Sequence, residues 1–306
     1  MGAFEPGYLK LHRSGELRRR VEAARARLAD CDLCARDCRV DRRASLNGVA
    51  CRTGERAVVA SYGPHFGEEA PLTGALGSGT IFFTWCNMRC LYCQNWDISW
   101  RGDGDEISAG QLAAVMLQLQ QGGCHNINFV SPSHVVAQIL EAVEIAAGAG
   151  LRLPLVYNSG GFDSPRGLAL LDGVIDIYMP DVKYADAAVA RRFSKIRDYP
   201  VVNRAALREM HRQVGDLVLD ARGIARRGLL VRHLVLPSGL AGTESVLRFL
   251  AEEISRNTYL NVMGQYRPCH RADEHDELAR PPSRAEMAVA FAAAADAGLT
   301  RLDVRA

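Results

Sequence analysis

The chain has 306 residues, 48% hydrophobic and 24% charged, the composition of a globular protein long enough to bury a substantial core. Its 37 basic and 35 acidic side chains leave a formal charge of +2, so there is no global electrostatic reason to expect binding to nucleic acid or an anionic membrane. No apolar signal follows the start "MGAFEPGYLKLHRSGELRRR", and no apolar run approaches a membrane span; a cytoplasmic protein is expected.

In chain order, residues 16–30 read as a charged amphipathic helix. An irregular, Gly-, Pro- and Cys-rich stretch follows to residue 78, which predicts a small lobe (1–78) held by something other than a core. Cys31, Cys34, Cys38 and Cys51 lie in it, and four thiols without core periodicity suit a closed zinc site or an iron-sulfur cluster. Arg36, Arg39, Arg42 and Arg43 beside them read as a solvated basic face.

From residue 79 to 306 the texture alternates. Strands are expected at 80–86, 126–132, 153–159, 176–184, 229–239 and 259–266, where short apolar runs suit buried parallel strands. Helices are expected at 108–123, 133–150, 164–173, across 186–216, at 243–255 and at 283–299. Ser108 with Gln111 and Ser283 with Glu286 fit capping boxes, and Gly122, Gly150 and Gly298 sit where helix ends take a left-handed residue. The pattern is an α/β fold of six units, a partial (β/α)6 TIM-like barrel, with a flat doubly wound sheet as the alternative. Either arrangement places the chemistry at the C-terminal strand ends, where Cys86, Ser131, Asn158, Asp181, Lys183 and Gln265 fall.

The loop "CNMRCLYC" leaves the first of these strands with Cys86, Cys90 and Cys93. Thiolates select zinc or iron-sulfur clusters, and a closed zinc site needs a fourth ligand, for which Cys124 or a histidine is the candidate. A cubane cluster on three cysteines instead keeps one iron open. The loop, with Tyr92 before its last cysteine, closely resembles the signature of the radical SAM enzymes. The phrases "NINFVSPSH", "VYNSGGFD", "IYMPDVKY", "RHLVLPSG" and "NVMGQYRP" extend the resemblance to iron-sulfur proteins related to pyruvate formate-lyase activating enzyme.

The resemblance implies a [4Fe-4S] cluster on Cys86, Cys90 and Cys93 whose open iron chelates S-adenosylmethionine. An electron then divides that molecule into methionine and a 5′-deoxyadenosyl radical that abstracts hydrogen. It further implies cofactor contacts from Tyr92, Ser131, Asn158, Ser159, Asp181, Lys183, Arg232 and Gln265, an electron donor of flavodoxin or ferredoxin type, and a glycyl-radical enzyme, another peptide or a small metabolite as substrate. The chain departs from the family's Gly-Gly-Glu, which holds the cofactor's amino group: Ser131-Pro132-Ser133 stands there, and Ser133 also reads as a helix cap. Asp181 and Lys183 should share a face, since strands alternate with period two. His233 reads as a satisfied core residue, and Cys124 and Cys269 as small hydrophobes. A non-enzymatic metal-binding scaffold is the contrasting reading.

Overall fold

The structure is a computed structural model that describes residues 4–303. Two helices, α1 (Gly7–Arg13) and α2 (Glu16–Ala26), come first, and Tyr8, Leu9 and Leu17 bury themselves in the main core. The cysteine-rich segment 31–56 has no helix or strand of its own.

Residues 57–65, expected to be irregular, instead form β1 (Ala57–His65), which runs antiparallel to the next strand. Gly63 and Pro64 hide this strand from a sequence reading. Pro64 is tolerated because β3, the neighbour on that side, pairs only with residues 57–59.

There follow α3 (Ala70–Thr73), β2 (Ser78–Phe83), β3 (Asp105–Ile107), α4 (Ala109–Gln121), β4 (Ile127–Val130) and α5 (Val136–Gly148). Next come β5 (Leu155–Ser159), α6 (Pro165–Leu171), β6 (Ile177–Pro180), α7 (Ala187–Ser194) and α8 (Tyr199–Val214). The chain ends through β7 (Val218–Leu219), β8 (Ala225–Leu234), α9 (Thr243–Phe249), β9 (Tyr259–Met263) and α10 (Arg284–Asp296).

All six expected strands are present, mostly shorter than expected, because several of the runs continue past pairing into the loops of the mouth. Both capping boxes form. The expected segment 186–216 is two helices, broken where Lys195 turns left-handed (φ 59°) and Pro200 starts the second. Gly122 stays right-handed, and the left-handed turn falls one residue later at Gly123 (φ 85°).

Strands β2, β4, β5, β6, β8 and β9 pair in parallel and in chain order, each followed by helix. The order never reverses, as it would in a doubly wound sheet, so this is the partial barrel. Alternation gives the sheet two different faces. Ile81, Phe83, Ile127, Phe129, Leu155, Tyr157, Leu229 and Val231 pack under the helices. The opposite, lumen face carries Val156, Ile177, Met179 and Leu230, plugged from below by Leu72 of α3. Thr80, Asn128, Asn158, Arg232 and Asn261 share that lumen face.

Asp176 ties the N-terminal helix to the sheet. Its two carboxylate oxygens accept the Gly7 and Leu155 N–H groups, each at 3.0 Å, and its carbonyl accepts the Gly228 N–H. Burial pushes this carboxyl up to about 7, against the two N–H donors that favour its charge. Between its ordinary value of 3.8 and about 7 the folded chain holds a proton that the unfolded chain has released. Stability from this group therefore falls as pH rises through that window, by up to about 1.4 kcal/mol per pH unit, and is level above it. Urea titrations of wild type and Asp176→Asn between pH 4 and 8 should diverge with that slope. Parallel curves would contradict it.

Candidate active site at the C-terminal mouth of the sheet

The thiol loop leaves β2 through Trp85, which is held left-handed at φ 66°. A bulky residue there costs on the order of 1–3 kcal/mol, so neighbours must fix it. They do: the Trp85 N–H donates to the Ile98 carbonyl at 3.0 Å, and the loop beyond it is held by Asn87 Nδ2 donating to the Phe162 carbonyl at 2.7 Å, the Leu91 N–H to the Phe193 carbonyl at 2.8 Å and Trp100 Nε1 to the Cys90 carbonyl at 3.2 Å.

Each sulfur has its own polar neighbour. The Met88 N–H meets Cys86 Sγ at 3.3 Å, the Ser194 hydroxyl Cys90 Sγ at 3.0 Å, and the Ser99 hydroxyl lies 3.2 Å from Cys93 Sγ. Burial pushes the Cys86 thiol up to about 12 and the Cys90 thiol up to about 11, and raises Cys93 too; in all three the Lys183 charge works the other way. The free thiols are therefore protonated near neutrality, and a metal must displace those protons on binding.

Among the described residues no three His, Cys, Asp or Glu side chains group as a mononuclear metal site. Cys124, considered as a fourth zinc ligand, lies instead against Gly79 at the start of β2, the opposite end of that strand from Cys86. Three soft donors, each hydrogen-bonded at sulfur and facing a lysine, fit an iron-sulfur cluster with one position left for another ligand.

Opposite the thiols, the structure brings together Asp181, Lys183, Arg232 and Asn158. Lys183 Nζ is 2.5 Å from Asp181 Oδ2, Arg232 Nε donates to Asp181 Oδ1 at 2.9 Å, and Arg232 Nη2 to Asn158 Oδ1 at 2.7 Å. Glu68 Oε2 lies 3.9 Å from Arg232 on the side of the plug. Burial would raise the Asp181 carboxyl, but Arg232 and Lys183 outweigh it and hold it below the usual range. Burial likewise opposes the Lys183 charge, and Asp181 and Cys90 more than restore it. Asn128, deeper on the lumen face, is fully buried with neither amide atom hydrogen-bonded.

Other expected contacts are placed elsewhere. Ser159 points to the helix side and donates to Asp163 Oδ2 at 2.6 Å, beside Tyr157, which donates to Oδ1. Tyr92 is buried edge-to-face between Tyr184 and Tyr266, forming a wall of the thiol loop. Gln265 is exposed, and its carbonyl accepts Gln94 Nε2 at 3.0 Å. Ser131 sits at the mouth in a left-handed turn (φ 59°), its N–H bonded to the Asn158 carbonyl.

Ser133 caps no helix; its hydroxyl turns to Asp163. His233 is the satisfied core residue expected, bonded to the Val182 carbonyl at 2.7 Å and Thr243 Oγ1 at 2.9 Å, and burial brings its ring down to about 4. Residues the sequence reading did not single out, Ser99, Ser194, Tyr199 and Asn203, fix the site's carbonyls and sulfurs: Tyr199 and Asn203 both donate to the Asp181 carbonyl. Nothing in local sequence marks them, since each reaches the mouth from a neighbouring loop or helix.

An uncharacterized protein of Methanocaldococcus jannaschii, MJ0674, is 29% identical over 269 residues, covering 85% of this chain and 73% of that protein. Among solved structures, a radical SAM methyltransferase from Sphaerobacter thermophilus is similar at TM-score 0.48 and 14% identity over 72% of this chain. TYW1 with a lysine-pyruvate adduct bound is similar at TM-score 0.34 and 10% identity over 52% of this chain. The chain spans 64% and 56% of those two structures. Residues 80–216, which hold the thiol loop, Asn158, Asp181 and Lys183, match the family model described as the Radical SAM superfamily.

Proposed function

We propose that this protein is a radical SAM enzyme that binds S-adenosylmethionine between the cluster loop and the charged set on β5, β6 and β8, and abstracts hydrogen from a second substrate. The observation that carries the reading is the placement of Lys183, within electrostatic range of all three thiols and paired to Asp181. The residues that would hold the cluster are Cys86, Cys90 and Cys93. When bound and reduced, it supplies the electron that cleaves S-adenosylmethionine to methionine and a 5′-deoxyadenosyl radical.

The chain's own part is orientation and exclusion of water. Lys183 and Arg232 present two fixed cations to the methionyl carboxylate, and Asp181, shared by both, positions them. Asn158 and the Ser131 turn offer neutral contacts to the ribose and the amino group. Tyr92, Tyr184, Tyr199 and Tyr266 back the thiol loop with a continuous aromatic layer. The resemblance to activating enzymes makes a glycyl residue of a partner protein the substrate tested first, with a flavodoxin- or ferredoxin-like protein as the electron source.

Anaerobic reconstitution with iron and sulfide, then dithionite and S-adenosylmethionine, should give 5′-deoxyadenosine, and Cys86→Ala should give none. A fully loaded cluster that yields none, with Cys86→Ala no different, leaves only the scaffold reading. Lys183→Met removes one charge-assisted contact worth about 1.5–3 kcal/mol, so KM for S-adenosylmethionine should rise on the order of 10- to 150-fold while iron content stays at the wild-type value. An unchanged KM would remove Lys183 from the cofactor site. Arg232→Met leaves Asp181 with Lys183 alone and Asn158 Oδ1 without its donor, and should lower stability by about 1.5–3 kcal/mol in denaturant titration; a change below about 1 kcal/mol would mean that the pair is solvated.

A further inference from the structure

We propose that Cys31, Cys34, Cys38 and Cys51 form a second metal centre of four thiolates, with the buried Arg42 guanidinium as its counter-charge, strapped to the Cys86–Cys93 loop by Arg36 and Arg89. The proposal is independent of whether the mouth cleaves S-adenosylmethionine.

Arg42 carries the argument. Expected on a solvated basic face, it is 3% exposed. Its guanidinium donates to the carbonyls of Thr53 (2.7 Å), His134 (2.9 Å) and Gly54 (3.2 Å), and Nη1 reaches Cys31 Sγ at 3.6 Å. It pairs with no carboxylate among the described residues. An uncompensated buried charge costs several kcal/mol, and carbonyl dipoles solvate a cation without neutralising it. The sulfur within its reach is Cys31 Sγ, and the Thr53 carbonyl it bonds lies two residues beyond Cys51. Thiolates are therefore the anions this position requires, and four neighbouring cysteines become thiolates together when they bind a metal.

All four are free thiols and interact electrostatically: Cys34 with Cys51 and Cys31, and Cys38 with the same two. Left-handed Asp37 and Arg39 flank Cys38, and left-handed Arg52 follows Cys51. The lobe contributes few residues to the hydrophobic cores, so a metal supplies what packing does not. The present thiol positions do not group as a mononuclear site, so loading either draws them together around zinc or spaces them around an iron-sulfur cluster.

The straps run both ways. From the lobe, Arg36 Nε donates to the Asn87 carbonyl at 2.6 Å; from the thiol loop, Arg89 Nη2 donates to the Ala50 carbonyl at 2.7 Å, next to Cys51. Arg36, Arg52 and Arg89 crowd there without a carboxylate among the described residues, each over an aromatic ring. Arg36 and Arg89 thereby fix the lobe against the thiol loop.

The test uses the full chain carrying Cys86→Ala, Cys90→Ala and Cys93→Ala, which leaves the lobe intact and removes the mouth's ligands. Isolated without oxygen and reconstituted with iron and sulfide, or loaded with zinc, it should hold about four irons with about four sulfides, or about one zinc, per chain. Adding Cys31→Ser and Cys34→Ser should abolish that metal. Arg42→Gln in the triple variant should weaken retention against a chelator about 10- to 100-fold. No bound metal in the triple variant, or metal that survives the two serines, overturns the site; unchanged retention with Arg42→Gln overturns the counter-charge.

Discussion

Asp181 is the hinge of the mouth. Its side chain, 12% exposed, meets Arg232 from β8 on one oxygen and Lys183 from its own strand end on the other. Three charges taken so far out of water would cost several kcal/mol each if unpaired, and the cost is offset only because parallel pairing fixes their geometry. Period-two alternation aims residues 181 and 183 the same way, and register sets Arg232 beside Asp181. Asn158 joins from β5, so three adjacent strands are tied at the height where the thiol loop crosses.

The same electrostatics govern the thiols. Buried sulfurs resist ionisation, and the positive charges around them lower that resistance. Lys183 does this for the mouth, Arg42 for the N-terminal lobe, and Arg89 lies within reach of both. Cysteine sets that look separate in sequence thereby share one electrostatic neighbourhood.

Much of this was legible from sequence because buried parallel strands are written as short apolar runs, and these were found in all six cases. The strand-end positions of Cys86, Asp181 and Lys183 followed directly. Parity could have separated Asn158 from Ser159, since adjacent strand residues face opposite ways; Ser159 accordingly belongs to the Asp163 network under the helices. The strand β1 escaped notice because Gly63 and Pro64 read as breakers, although the partly unpaired side of that strand admits proline. Arg42 could not be distinguished from its neighbours Arg39 and Arg43: an arginine in a polar loop is normally solvated, and only tertiary contacts reveal one buried against Cys31 Sγ and the carbonyls of Thr53, His134 and Gly54.

In the proposed function the three-thiol loop leaves a coordination position for S-adenosylmethionine facing the Asp181–Lys183–Arg232 set. The most direct test is the electron paramagnetic resonance spectrum of the reduced, reconstituted protein before and after S-adenosylmethionine is added. The cluster signal should change on addition, and Lys183→Met should require a higher concentration to produce the change. A spectrum indifferent to saturating S-adenosylmethionine would contradict it.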